Sequence, residues 1–224
     1  MGHAMANFTW SFSKLKNAET CPKKHYEVDI AKHFAESSEQ MIWGNTVHKA
    51  LADACTGKAP LPDSLTPYQN WVDKIKAGPG ELLVEQKYAI TKDFQPTEYF
   101  GPKVWYRGIA DVVRIDGPVA LAVDWKTGKI LTDSVQLGLM AQCLFSFHKE
   151  LKLVRTEYVW LKDDCTTGEV WTRKAVADMW LGLLPRVQEY EKQVQTQTFM
   201  PKPSGLCRSY CPVISCPYHG KGNR

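Results

Sequence analysis

The chain has 224 residues, 44% of them apolar, and a formal net charge of +4. That length and apolar share suit one domain with a full core and room for a small appendage. No run of about eighteen apolar residues occurs, so no helix can cross a membrane, and seven unevenly placed cysteines fit metal ligation in a reducing cytoplasm better than a disulfide framework.

The first five residues, Met1 to Met5, have no apolar signal segment and look like an expression-tag remnant. The stretch from Trp10 to Tyr26 reads as a short helix capped at Ser11 or Ser13, followed by a turn at Cys21-Pro22. A second helix is expected over about 26–35. Lys14, Lys16, Lys23 and Lys24 make this end basic. The segment 43–54 carries Val47, Ala50, Leu51 and Ala54 at helical spacing. His48 lies one turn after Gly44 on the same face, so a neighbour can approach over the glycine and meet the imidazole. A lone His on a helix is more often structural, and its weight here depends on acids further along. Residues 56–80, rich in Pro and Gly, read as a loop with a short helix around 68–76.

Residues 82–90 alternate as a strand does, with Glu85 as the one acid among them. Glu85 is read either as a site residue or as an edge-strand charge. Then come two apolar strands, 106–115 and 118–126, joined at Asp116-Gly117, a strong hairpin signal. A two-residue turn there sets Ile115 opposite Pro118 and Asp111 opposite Ala122. Side chains alternate along a strand, so Ala122, Asp124 and Lys126 share a face, and Asp111 joins them diagonally to Asp124 at about 7–8 Å. Both faces of these strands are otherwise apolar, the pattern of central strands covered on two sides. Two buried carboxylates need a cation to offset their desolvation. A divalent metal with Lys126 beside it does that; a structural Asp–Lys pair is the plainer reading and needs only one Asp.

Thr127-Gly128 ends the strand. Asp133 or Ser134 caps a helix running to about 149, apolar nearly all round and therefore deeply packed. Gln136 stands in its first turn, near the end of the Asp124 strand. Strands follow at about 153–161 and 168–172, joined by a polar turn over 162–167. A last amphipathic helix spans about 176–195 and must kink or split at Pro185. The fold class is therefore α/β, a central mixed sheet flanked by helices.

The chain ends in Cys207, Cys211 and Cys216, with Pro after the last two. Three cysteines so spaced in a Pro-rich loop read as a ligand cluster. Cys21, also followed by Pro, is the best fourth ligand, which staples the two ends of the chain. Four thiolates suit a [4Fe–4S] cluster or zinc, and His219 can replace one cysteine in a zinc site. Cys55, Cys143 and Cys165 read as ordinary small residues. Residues 201–224 carry Lys202, Arg208, Lys221 and Arg224 and no acid, so this tail holds the whole net charge. Basic patches at both ends favour a polyanion, although basic tails are often merely solubilising.

The order Gly44-x-x-x-His48, Glu85, Gly108-x-x-Asp111, Asp124-x-Lys126, Gln136 resembles the PD-(D/E)XK nuclease superfamily in its RecB-like branch. With Cys21 and the terminal cysteine trio, it is similar to the iron–sulfur members, among them AddB-type nuclease domains and CRISPR-associated exonucleases. The resemblance covers about residues 8–219. It implies one restriction-endonuclease-like nuclease domain, with a core over about 40–175 and a cysteine region formed by about 8–35 and 176–219. It implies that His48, Asp111, Asp124 and the Trp125 carbonyl bind Mg²⁺ or Mn²⁺. Lys126 then orients the attacking water, Gln136 belongs to a Gln-x-x-x-Tyr motif, and Cys21, Cys207, Cys211 and Cys216 hold a [4Fe–4S] cluster that helps shape a DNA channel. Two departures stand out: Met140 occupies the Tyr position, and the terminal cysteines are spaced by three and four residues where the family often shows two and five. The implied activity is that of a metal-dependent DNA exonuclease acting on strand ends or single strands in recombination, repair or phage or CRISPR DNA processing, in the cytoplasm of a bacterium or phage-infected cell. Two alternatives stay open: a DNA-binding recombination accessory protein, and a structural zinc protein.

Overall fold

The computed structural model describes residues 8–35 and 38–221; the tag-like residues 1–5 lie outside them. Its backbone divides into two compact units, residues 39–181 and residues 1–38 together with 182–224.

The larger unit holds helix α3 (Glu39–Thr56), helix α4 (Gln69–Ala77), strands β1 (Glu81–Ile90), β2 (Tyr106–Asp116) and β3 (Val119–Lys126), helix α5 (Val135–Phe147), and strands β4 (Leu153–Trp160) and β5 (Cys165–Trp171). The five strands form one sheet in sequence order. All neighbours are antiparallel except β3 and β4, which run parallel because α5 crosses between them. The expected mixed, helix-flanked sheet is therefore present. The polar turn expected over 162–167 is shorter, since Cys165 pairs with Trp160 and already belongs to β5.

The hairpin differs from expectation by one step. Asp116 pairs with Val119, so the turn residues are Gly117 and Pro118. Proline explains the shift. An Asp116-Gly117 turn would put Pro118 into the ladder, where it has no N–H to donate. Moved by one residue, the turn has Gly117 at φ 53° and Pro118 where its ring is harmless. Continuing the paired register places Asp111 opposite Asp124, not Ala122, which pairs with Val113. The slip alone would keep Asp111 on the Asp124 side, but the two carboxylates are reached from different helical layers: Asp111 by His48 of α3 and Asp124 by Gln136 of α5.

Each sheet face has its own helical layer. Val47, Leu51, Ala54 and Cys55 of α3 and Val72 and Ile75 of α4 pack on Val112, Val123, Trp125 and Val159. The opposite face receives α5, which is buried almost all round, with Leu137, Leu139, Met140, Ala141 and Leu144 inside. Strands β1 and β2 change faces partway. Val84 packs into the α3 layer, whereas Tyr88, four residues on, meets the ring of Phe147 in α5 at 5.0 Å. Strict alternation would leave both on one side. The exchange occurs where the β1–β2 ladder lacks a rung, between Val84↔Val112 and Gln86↔Ala110. The residues of that missing rung are Glu85 and Asp111. Glu85 sits at φ 52°, a region a side chain of its kind seldom enters.

The buried Arg114 ties β2 to α4. Its guanidinium donates to the carbonyls of Ile75, Lys76, Pro79 and Gly80 at 2.6–3.2 Å. These include carbonyls left without partners at the end of a helix, where positive charge is also favoured.

In the smaller unit, helix α1 (Phe12–Thr20) is capped by Ser11, whose hydroxyl accepts from the Lys14 N–H. Cys21 is extended and ends α1, and Pro22 opens helix α2 (Pro22–His25). The helix expected over 26–35 is cut short to a π turn at Tyr26–Ile30, which ends before Lys32 at φ 57°. The long helix α6 (Arg173–Gln195) begins in the larger unit and runs through Pro185 in one helical stretch. Within the smaller unit, Arg186 grips both oxygens of Glu19 at 2.6 and 3.0 Å. Buried His25 links Asp29 at 2.7 Å to the Tyr190 hydroxyl at 2.8 Å.

Arg114→Met is expected to lower stability by roughly 3 kcal/mol, because it leaves several carbonyls at the end of α4 without donors. A urea titration of the two proteins measures the difference.

Candidate functional site

Four elements deliver the groups that the sequence singles out. β2 carries Asp111, β3 carries Asp124 and Lys126, α3 carries His48, and α5 carries Gln136. They meet where the β2–β3 pairing stops, one step beyond the Val112↔Val123 rung. With its rung unfilled, Asp111 turns its carboxylate along the strand ends. Its Oδ2 accepts from the Trp125 backbone N–H at 2.8 Å, and its Oδ1 accepts from His48 Nδ1 at 3.2 Å. The neighbour that approaches Gly44, one turn before His48, is Thr127, whose Oγ1 would lie 3.4 Å from a Cβ placed there.

On β3, Gln136 joins acid to base. Its Nε2 donates to Asp124 Oδ1 at 2.8 Å and its Oε1 accepts from Lys126 Nζ at 3.0 Å. Lys126 Nζ also lies 2.5 Å from Asp124 Oδ2 as an ion pair. That oxygen is buried without a hydrogen-bond donor aligned on it. The ammonium sits 4.8 Å from the centre of the Tyr158 ring. The sequence reading missed Tyr158. It is set beneath Lys126 because Asp124 pairs with Tyr158 in the parallel β3–β4 ladder, and that register cannot be read before the sheet order is known.

Electrostatics follow burial. Asp124 is 4% exposed. Desolvation pushes its carboxyl up to about 6, with Asp111 adding to the rise and Lys126 opposing it. For His48, desolvation pulls downward, but the Asp111 hydrogen bond and the charges of Asp111 and Asp124 together hold the imidazole above its ordinary value. Glu85 is raised by desolvation and then by Asp111. Glu85 is thus an acid of the site's edge, across the missing rung from Asp111, with a solvent-exposed side chain. Met140, at the Tyr position of the motif, is buried in α5.

The four cysteines Cys21, Cys207, Cys211 and Cys216 line one cavity of the smaller unit, together with Lys23, Lys24, Lys202 and His219. Backbone N–H groups of Lys202 and Ser204 donate to the sulfurs of Cys21 and Cys207, each at 3.4 Å. Burial raises the Cys211 thiol, and nearby Cys207 and Cys21 add to the rise.

Among the described residues, no group of three or more His, Cys, Asp or Glu side chains is arranged to hold a metal ion. Near β2 and β3, the candidate donors are turned toward each other and toward Gln136 and Lys126. Their chemistry nevertheless fits a hard divalent cation: two buried carboxylates, with an imidazole hydrogen-bonded to one of them. The cysteine cavity fits a soft, thiolate-bound group, with N–H donors already aimed at two of its sulfurs.

A sequence-family model described as the PD-(D/E)XK nuclease superfamily matches residues 9–217. Among solved structures, a candidate exonuclease from Eubacterium rectale superposes with TM-score 0.54 at 13% identity, covering 92% of this chain and 91% of that one. The protein SSO0001 gives TM-score 0.45 at 14% identity, covering 97% and 89%. No curated protein matches the chain in sequence.

Because the folded-state value of Asp124 is raised, the neutral acid is favoured: its stabilising contribution is complete below about pH 4 and is lost as pH rises through about 6. Asp124→Asn is therefore expected to match the parent at pH 4 and to be more stable by on the order of 2 kcal/mol at pH 8. Chemical denaturation in chelator across that range measures the gap.

Proposed function

The chain belongs to the PD-(D/E)XK nuclease superfamily, and from that premise we propose that it hydrolyses DNA phosphodiester bonds, acting on strand ends or single strands with Mg²⁺ or Mn²⁺. Residues 8–219 act as one nuclease in this reading. The observation that carries it is the Gln136 bridge, which locks Asp124 and Lys126 together next to the buried Asp111–His48 pair.

His48, Asp111, Asp124 and the Trp125 carbonyl would hold the divalent ion. When bound, that ion supplies Lewis-acid polarisation of a phosphoryl oxygen and a lowered pKa for water. The chain's own groups do the rest. Lys126, steadied by Gln136 Oε1 and by the Tyr158 ring, is placed to orient water and to offset the negative charge that builds on phosphorus. Gln136 Nε2 keeps the Asp124 carboxylate in one orientation. The Trp125 N–H and His48 do the same for Asp111. Glu85, raised in pKa and exposed at the site's edge, is suited to holding or passing a proton.

We also propose a [4Fe–4S] cluster on Cys21, Cys207, Cys211 and Cys216. A structural zinc ion is the second reading, favoured by His219, which lines the same cavity. Anaerobically purified protein is expected to be brown and to contain iron and acid-labile sulfide, both lost in Cys211→Ser. A colourless protein carrying zinc would establish the second reading instead.

For the main reading, end-labelled single- and double-stranded DNA should be degraded with Mn²⁺, and Lys126→Ala should slow the reaction by roughly 10²–10³-fold, the loss typical when one charge-stabilising donor is removed. Equal cleavage by both proteins would refute it.

A further inference from the structure

The connection between β1 and β2 exposes a large aromatic side chain with no apolar cover. Phe100 is 79% exposed. Its ring meets Tyr99 edge-on at 4.9 Å. Two cations flank the pair: Arg107 lies 5.3 Å from the Tyr99 ring centre and 5.5 Å from that of Phe100, and Lys87 lies 5.6 and 5.9 Å from them. Glu98 is the acid next to them in sequence.

The loop that presents these rings is anchored. Trp105 and Phe94 pack on Trp180 at 5.6 and 4.9 Å. The Thr97 N–H donates to the Ala89 carbonyl, the Trp105 N–H to the Ile90 carbonyl, and the Gly101 N–H closes a turn on Glu98. A buried base therefore holds an exposed tip, and little ordering cost remains to be met on binding.

Its position connects it to the candidate site. Beyond Glu85, Tyr88 turns to the α5 side, so its strand neighbour Lys87 points to the opposite side. Tyr88 pairs with Gly108, which sends Arg107 and Ile109 the same way. That is the side from which α3 brings His48 to Asp111. Along the strands, Lys87 stands ~7 Å from Glu85 and Arg107 ~13 Å from Asp111. A platform of two rings and two cations thus leads away from the carboxylates on the open side of the sheet.

We infer that Phe100, Tyr99, Lys87 and Arg107 form a binding track for an unpaired nucleic-acid strand, with bases stacked on Phe100 and phosphates met by Lys87 and Arg107. Aromatic faces accept any base, and cations beside them follow the backbone, the combination that single-strand binders use. Paired bases cannot reach such a ring, so the track selects single strands. This inference rests on the nuclease reading only for the direction in which the strand runs.

Full-length Lys126→Ala protein, which is expected to bind without cutting, is titrated with an oligothymidylate carrying one 2-aminopurine, and with a blunt duplex. Adding Phe100→Ala should weaken single-strand binding ~10-fold and leave the duplex unaffected. Phe100→Trp should keep the affinity. Replacing Lys87 and Arg107 by Ala should flatten the salt dependence by ~0.7 in log–log slope for each phosphate no longer neutralised. Unchanged single-strand affinity in Phe100→Ala, or equal weakening toward the duplex, would overturn the track. Cleavage by the parent protein is scored separately. Cutting together with strand binding indifferent to Phe100 removes the track alone, and strand binding sensitive to Phe100 without cutting removes the nuclease reading alone.

Discussion

Two carboxylates of like charge, Asp111 and Asp124, lie 8% and 4% exposed in adjacent strands, and the groups around them are arranged to offset their desolvation. An isolated buried ion costs several kcal/mol even after relaxation. The offset comes from separate directions: an imidazole from α3, a backbone N–H from β3, an amide from α5, and the ammonium of Lys126. These donors come from the sheet and from both of its helical layers, so the site cannot form until the sheet has both coverings. The offset is incomplete, since the Asp124 carboxyl is still pushed up to about 6. Residual cost of this kind is common where a protein keeps groups for chemistry.

Space for the pair is made by breaking the sheet. At Glu85 the backbone adopts φ 52° and the β1–β2 ladder loses one rung. Backbone strain of this sort costs of order 1–3 kcal/mol and persists only where the surroundings enforce it. Here the enforcement is packing on both sides, with Val84 in the α3 layer and Tyr88 against α5. The same break frees Asp111 from its cross-strand partner on β1 and turns the far halves of β1 and β2. It also leaves Lys87 and Ile109 on the open side. One irregularity thus serves the site and the surface beside it.

The smaller unit is held in a different way. Its helices are joined by a few polar links of long sequence separation, Glu19 to Arg186 and His25 to Tyr190, and by the Lys202 ammonium on the Glu19 carbonyl. Small units bury too little apolar surface to be secure by that means alone. Four cysteines facing one cavity, two already receiving backbone donors, are a natural site for a further staple.

The order of helices and strands, the sharing of a side by Asp124 and Lys126, and the approach of His48 were legible in the sequence because they follow from periodicity and from the cost of burying charge. So was the Ser11 cap, a local hydrogen bond. The turn was misplaced by one residue because the Asp-Gly signal is strong in local pattern, whereas the exclusion of Pro118 from the ladder acts only once the strands pair. The helix over 26–35 failed because its periodic pattern says nothing of the π turn and the left-handed Lys32 that end it. Only the tertiary structure decided that Glu85 breaks the sheet, that Arg114 closes α4, that Gln136 reaches both Asp124 and Lys126, and that Tyr158 lies under the ammonium. The physical reason is the same in each case: these contacts join residues distant in sequence, and which partners meet is fixed by strand order and packing, about which local pattern carries no information.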